Sequence, residues 1–218
     1  MTYPAPSESP RRAPHRFSPS IRGAVRRKAT AAPSRSSLVA DFLTLCELDS
    51  SIEDLRVPTG PAAFEIGGEL IEHVVDFEIV RDGATTLIDV VADADLAGHP
   101  LGPALLAGAS STDGRPFAIE TTASLRSEPR YTTLRLIMAC KRTPVSAGDR
   151  VRILHHLDEC GTMRLVDCVS VVQNTQDGVA AVLALAVEGL VAVDINRPIL
   201  PETPVRRRKL RYADPFDF

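Results

Sequence analysis

Glu72-His-Val-Val-Asp-Phe-Glu-Ile-Val80 and Thr85-Thr-Leu-Ile-Asp-Val-Val91 flank the four residues Arg81-Asp-Gly-Ala84. Both runs are rich in β-branched residues, and an Asp-Gly pair between two such runs is a strong short-range hairpin signal. With Asp82 and Gly83 as the central turn residues, Arg81 pairs with Ala84 and the same register carries Asp76 opposite Asp89. Side chains alternate along a strand. Val74, Asp76, Glu78, Leu87, Asp89 and Val91 therefore share one face, and Val75, Phe77, Ile79, Ile88 and Val90 share the other, which is expected to be the core face.

Two like charges opposite each other on a sheet destabilise it. Solvent, a raised pKa or a divalent cation must offset them. A hard cation such as Mg²⁺ takes a few carboxylate oxygens together with water and phosphate oxygens, and it can activate water and stabilise a leaving group. Two facing carboxylates, with a lysine two residues beyond the second, form the skeleton of a metal-dependent phosphodiesterase site. Here that position is Val91. The alternative is a solvated face that happens to carry two acids.

The chain has 218 residues, enough for one sizeable core or two small ones, and 44% of them are hydrophobic. Cys46, Cys140, Cys160 and Cys168 show no CxxC spacing, which argues for reduced thiols and against a zinc or disulfide framework. No apolar run approaches membrane-span length and the N-terminus lacks a signal-peptide core, so a cytoplasmic protein without membrane contact is expected. The net charge of −3 conceals basic ends on an acidic middle: residues 1–36 hold eight Arg or Lys against one acid, and residues 206–218 hold five against two. Any polyanion, DNA above all, is expected to meet these arms, with Arg22, Arg26, Arg27, Lys28, Arg206, Arg207 and Arg208 as candidate contacts.

Residues 1–36 contain six prolines and little aliphatic patterning, the composition of a disordered arm. A first helix is expected from Ser37 to Leu48, capped by Ser36 or Ser37. A short strand over Ala62–Ile66 turns at Gly67-Gly68 into the Asp76 strand. The hairpin is followed by a helix over Asp93–Gly108 broken by Pro100 and Pro103, a strand over Phe117–Thr122 and a helix over Arg130–Lys141. Together these describe a small α/β nuclease-type core occupying residues 37–142.

A boundary is expected near Thr143-Pro144. Beyond it Ser146 caps a helix over Ala147–Glu159, with Val151, Leu154 and Leu157 inward and Gly161 at its end. Helices over Met163–Val172 and Thr175–Glu188 and a strand over Val191–Ile195 follow. Three helices and a β-hairpin over residues 143–205 read as a winged helix, with 206–218 as a basic tail. Its third helix would be the reading helix, where Asn174 and Gln176 could meet adenine edges, but that helix carries no Arg or Lys. Phosphate contacts, which normally dominate affinity, fall to Arg197 on the wing and to the basic residues beyond it. A module packing on a protein partner is the alternative.

In their order these segments resemble the TnsA-like transposon endonucleases. The lead-in Ser20-Ile-Arg-Gly-Ala-Val-Arg-Arg-Lys28 precedes a helix opening Arg35-Ser-Ser-Leu-Val-Ala-Asp-Phe42; Val75-Asp-Phe77 stands for the family's Pro-Asp-Phe and Asp89-Val-Val91 for its Glu-Val-Lys. The resemblance covers most of residues 20–208. It implies a mixed α/β (α+β) fold: a restriction-endonuclease-like core with a mixed sheet, then a small winged-helix domain. It also implies Asp76 and Asp89 as Mg²⁺ ligands and catalytic acids, and partnership with a transposase and an ATPase regulator.

The carry-over is incomplete. Val91 falls on the catalytic Lys, and Arg35 and Val39 replace the two helix glutamates, one of which helps hold metal in the family. Losing one such electrostatic group typically costs several kcal/mol of barrier. The resemblance therefore implies a pseudoenzyme with weak or absent Mg²⁺ binding, acting through DNA or partner contacts. An active endonuclease would need a substitute base. Lys141 is a candidate, as is a partner-chain residue, whereas Arg81 and Glu47 lie too far along their elements. A regulator using only the winged helix and the arms is the third reading.

Overall fold

A computed structural model describes residues 33–102 and 110–208. The arm residues Arg22, Arg26, Arg27 and Lys28, and the tail beyond Arg208, lie outside the described residues. No described helix is long and apolar enough to cross a membrane.

Helix α1 spans Pro33–Leu48. It begins earlier than the expected Ser37 because proline suits a helix's first turn, where its missing N–H costs nothing; Ser36 and Ser37 lie inside the helix. The strands β1 (Asp54–Arg56), β2 (Ala62–Ile66), β3 (Glu69–His73), β4 (Phe77–Arg81), β5 (Ala84–Val91) and β6 (Phe117–Thr121) follow. Four of them form a mixed sheet of order β1-β4-β5-β6, antiparallel except for the parallel β5–β6 pair, while β2 and β3 form a separate hairpin. The hairpin register is the expected one, with Arg81 opposite Ala84 and Phe77 opposite Ile88. Asp82 and Gly83 have φ of 49° and 76°, the positive pair a two-residue I′ turn requires.

The run Glu72–Val80 is not one strand. Its pleat breaks at residues 74–76, between β3 and β4, and the break reverses the expected facing of Val75. Val75 joins Leu87, Phe64, Leu101 and Phe117 in a small apolar cluster on one side of the sheet. Ile79, Ile88 and Val90 enter the main core on the other side with Leu38, Phe42 and Leu45 of α1. Phe42 and Phe77 meet with ring centroids 5.1 Å apart. Both sheet faces are thus covered, and the face carrying Asp89 is not solvated.

After β5, Asp93–Gly98 form a 3-10 turn in place of the expected longer helix; residues 103–108 of that expectation lie outside the described residues. Beyond β6 come α2 (Thr122–Leu125), α3 (Arg130–Ala139) and a 3-10 turn over Cys140–Arg142. The C-terminal elements are α4 (Ala147–Cys160), β7 (Met163–Arg164), α5 (Leu165–Ser170), α6 (Gly178–Val187), β8 (Val191–Val193) and β9 (Pro204–Arg207). The three strands form a sheet of order β7-β9-β8. Helix α4 has the expected caps, Ser146 accepting from the Asp149 N–H and Gly161 ending it at φ 78°. Of its expected inward residues Leu157 is buried and Leu154 packs on the core, but Val151 is 65% exposed, and the i, i+4 series Asp149, Ile153, Leu157 forms the buried face.

Helix α6 is the centre of the molecule. Every residue from Ala181 to Val187 is buried, as expected for a helix that is apolar all round. Its first residue must be small, since a Cβ on Gly178 would lie 2.7 Å from Cγ1 of Val169. Helix α6 packs on α1, α3, α4 and α5, so one apolar cluster joins residues on both sides of Thr143-Pro144.

The loop before α6 is tied down by Asp149, which is fully buried. Its carboxylate accepts from the backbone N–H of Gln173 (2.8 Å) and Thr175 (2.7 Å) and from Arg152 Nη2 (2.6 Å). Burial alone would raise this carboxyl, but the Gln173 N–H, the Arg152 guanidinium and the Thr175 and Ser146 hydroxyls hold it well below the usual range. The unfolded chain therefore takes up the proton first as pH falls. The stabilisation is complete above the ordinary aspartate range and is lost as pH falls from there toward the depressed folded value. Urea unfolding through the acid range should show this loss, with a flatter pH dependence in Asp149→Asn and a melting point several degrees lower at neutral pH. Equal slopes in variant and wild type would contradict the assignment.

Candidate functional site

The break between β3 and β4 sets the site. It turns His73, the last residue of β3, toward β5 and leaves Asp76 just ahead of β4. The two aspartates each bond to the other's strand: the Asp76 N–H donates to Asp89 Oδ1 (2.9 Å) and the Val90 N–H to Asp76 Oδ2 (3.0 Å). The expected like-charge problem is thus met by donors. Arg35 Nη2, from α1, lies 2.7 and 2.8 Å from Asp76 Oδ1 and Oδ2. On Asp89, whose side chain is only 3% exposed, Oδ2 is 2.6 Å from His73 Nε2 and 3.0 Å from His99 Nε2.

His99 follows the 3-10 turn. Its Nδ1 accepts from the Leu101 N–H at 3.2 Å, which puts the ring proton on Nε2 facing Asp89. Burial pushes the His99 imidazole below its ordinary value, outweighing the pull of the Asp89 carboxylate. The ring stacks on Phe117 (6.4 Å, 20°) and meets His73 edge-on (5.4 Å, 75°). Arg35, His73, Asp76, Asp89, Val91 and His99 line one cleft of about 430 Å³.

Mg²⁺ does not fit this donor set. A hard ion wants several free oxygens in octahedral array. Asp76 is already neutralised by a guanidinium, and Asp89 is flanked by two imidazoles. Among the described residues the group that could hold a metal is instead His73, Asp89 and His99, whose donor atoms all lie within 4.8 Å of one another.

Val91, at the lysine position, is buried at the cleft wall. Lys141 sits in the 3-10 turn against α6 and does not line the cleft. Arg81 pairs with Asp49 (3.1 Å), and the Glu47 carbonyl accepts from Arg208 (2.8 Å). Val39 packs against the core. Asn174 and Gln176 are exposed, but they lie in the loop before α6, whose cap is Asp177. Residues 181–187 of α6 are buried, and Val179 in its first turn is 40% exposed. Arg197 is 82% exposed at its side chain, on the loop between β8 and β9, and its carbonyl accepts from Thr133 (2.8 Å). Arg206 and Arg207 belong to β9 rather than to a tail; Arg206 donates to Ser50 (3.0 Å) and Arg207 faces Asp158 (3.5 Å).

His73, His99 and the role of Arg35 were not read from the sequence. Strict alternation through Glu72–Val80 puts His73 on the face away from Asp89, and only the strand break brings it round. His99 is ten residues beyond Asp89, a spacing that matches no ligand motif. No protein-family model matches the chain, and a search of curated proteins finds no match.

Proposed function

We propose that the protein is a TnsA-like, nuclease-fold protein that has lost phosphodiester cleavage and acts by binding DNA or a partner in a transposition-related complex. The observation that carries this reading is the Arg35–Asp76 pair. One of the two helix positions where the resembled family has a glutamate supplies a cation here, directed at the carboxylate that would hold the ion. Val91 in place of the lysine removes the group that would stabilise developing charge.

The mixed sheet with its acidic hairpin supports a restriction-endonuclease-like core. The order α4-β7-α5-α6-β8-β9, with β9 central in its sheet, supports a winged-helix module. Because α6 is enclosed, that module is read as a docking and packing element. DNA contact falls to the arm (Arg22, Arg26, Arg27, Lys28) and to Arg197. A transposase is the natural protein partner on this reading.

Purified protein supplied with Mg²⁺ or Mn²⁺ should leave supercoiled plasmid intact. It should still retard duplex DNA in a salt-sensitive manner, and removal of residues 1–32 should abolish the retardation. Nicking by the full chain that disappears in Asp76→Ala would overturn the reading.

A further inference from the structure

We propose that His73, Asp89 and His99 form a binding site for a borderline first-row transition ion of the Zn²⁺ class. All three residues line the cleft described above. The site rests on the histidine pair and not on the nuclease-like reading.

Both imidazoles direct Nε2 at the same oxygen of one buried carboxylate, at 2.6 and 3.0 Å. Ligands about 2.05 Å from a tetrahedral ion stand roughly 3.3 Å apart, so outward shifts of about 0.7 Å at His73 and about 0.3 Å at His99 reach that spacing. The other carboxylate oxygen is held by the Asp76 N–H, which fixes the group's orientation and leaves Oδ2 for the ion. Stacking on Phe117 fixes the plane of His99. Such outer partners are what orient metal ligands. Imidazole suits Zn²⁺, Fe²⁺ and their neighbours and does not suit Mg²⁺. Three protein donors leave a fourth position toward the cleft, the pattern of an open rather than a closed zinc site.

At His99 the ring proton moves from Nε2 to Nδ1 and the Nε2 lone pair is presented to the ion. For His99 this gives up the 3.2 Å hydrogen bond from Leu101, a small loss beside two metal–nitrogen bonds.

Chelator-stripped full-length protein titrated with Co²⁺ alone tests the proposal. One equivalent should bind with the intense visible bands of four-coordinate Co²⁺. Zn²⁺ should displace it, and a large excess of Mg²⁺ should not. His73→Ala and His99→Ala should each weaken binding by more than the roughly 10–100-fold that losing an outer-shell partner costs. His156→Ala, at the exposed end of α4 where Nδ1 lies 3.9 Å from Cys160 Sγ, should leave it unchanged.

Should either histidine variant not fold, the wild type still decides. Zn²⁺ should protect His73 and His99, and not His155, from acylation by diethyl pyrocarbonate. No visible bands in the wild type, displacement by Mg²⁺, or loss of the bands in His156→Ala but not in His73→Ala would each overturn the site. The two readings fail separately. Plasmid nicking would defeat the loss of cleavage and leave this site standing, whereas absent Co²⁺ bands would defeat the site alone.

Discussion

Residues 143–218 produced on their own are expected not to fold into a cooperative unit, although the sequence places a domain boundary at Thr143-Pro144. The reason is α6. Val182, Leu183, Leu185 and Ala186 are each at most 4% exposed, and the helix packs on α1 and α3 of the preceding segment as well as on α4 and α5. A fully buried aliphatic side chain is worth about 1.5–3 kcal/mol. Returning even a few of them to water removes an amount comparable to the roughly 5–15 kcal/mol by which whole domains are stable. The polar ties across the boundary, Thr133 to the Arg197 carbonyl and Arg208 to the Glu47 carbonyl, would be lost as well. Circular dichroism should show a broad, non-cooperative melt for the fragment and a sharp one for the full chain. A fragment that melts sharply would show the C-terminal segment to be an autonomous domain.

Asp89→Ala is expected to cost about 3 kcal/mol or more, because each buried donor left without its acceptor costs about 1–3 kcal/mol. The substitution leaves the His73 and His99 Nε2–H groups and the Asp76 N–H without their shared acceptor, and unsatisfied buried donors carry the full penalty of their lost hydration. For a chain of this size the melting point should fall on the order of 10 °C. Asp89→Asn should cost less, because it keeps one acceptor oxygen and an imidazole can change tautomer to accept from the new amide. Urea unfolding of the two variants checks the order. If Asp89→Ala lay within about 1 kcal/mol of wild type, Asp89 would not be the organising acceptor of the cleft.

What could be read along the chain is what neighbouring residues decide. The Asp82-Gly83 turn and the β-branched runs beside it determined the hairpin and its register, and through them the facing of Asp76 and Asp89. Ser146 and Gly161 determined the ends of α4 in the same way, because caps and two-residue turns act over a few residues.

The tertiary structure decided everything that needed distant segments to meet. Arg35 reaches Asp76 across 41 positions and His73 reaches Asp89 across 16, and no local spacing encodes either contact. The strand break at residues 74–76 depends on the second apolar cluster claiming Val75, so alternation alone put Val75 and His73 on the wrong faces. Helix α6, whose apolar residues suit a helix of either role, is a core element because two segments close over it. The sequence by itself thus determined a hairpin with two facing acids. Only the packed chain supplied the guanidinium and the imidazoles that change what those acids can bind, because long-range packing sets side-chain neighbours.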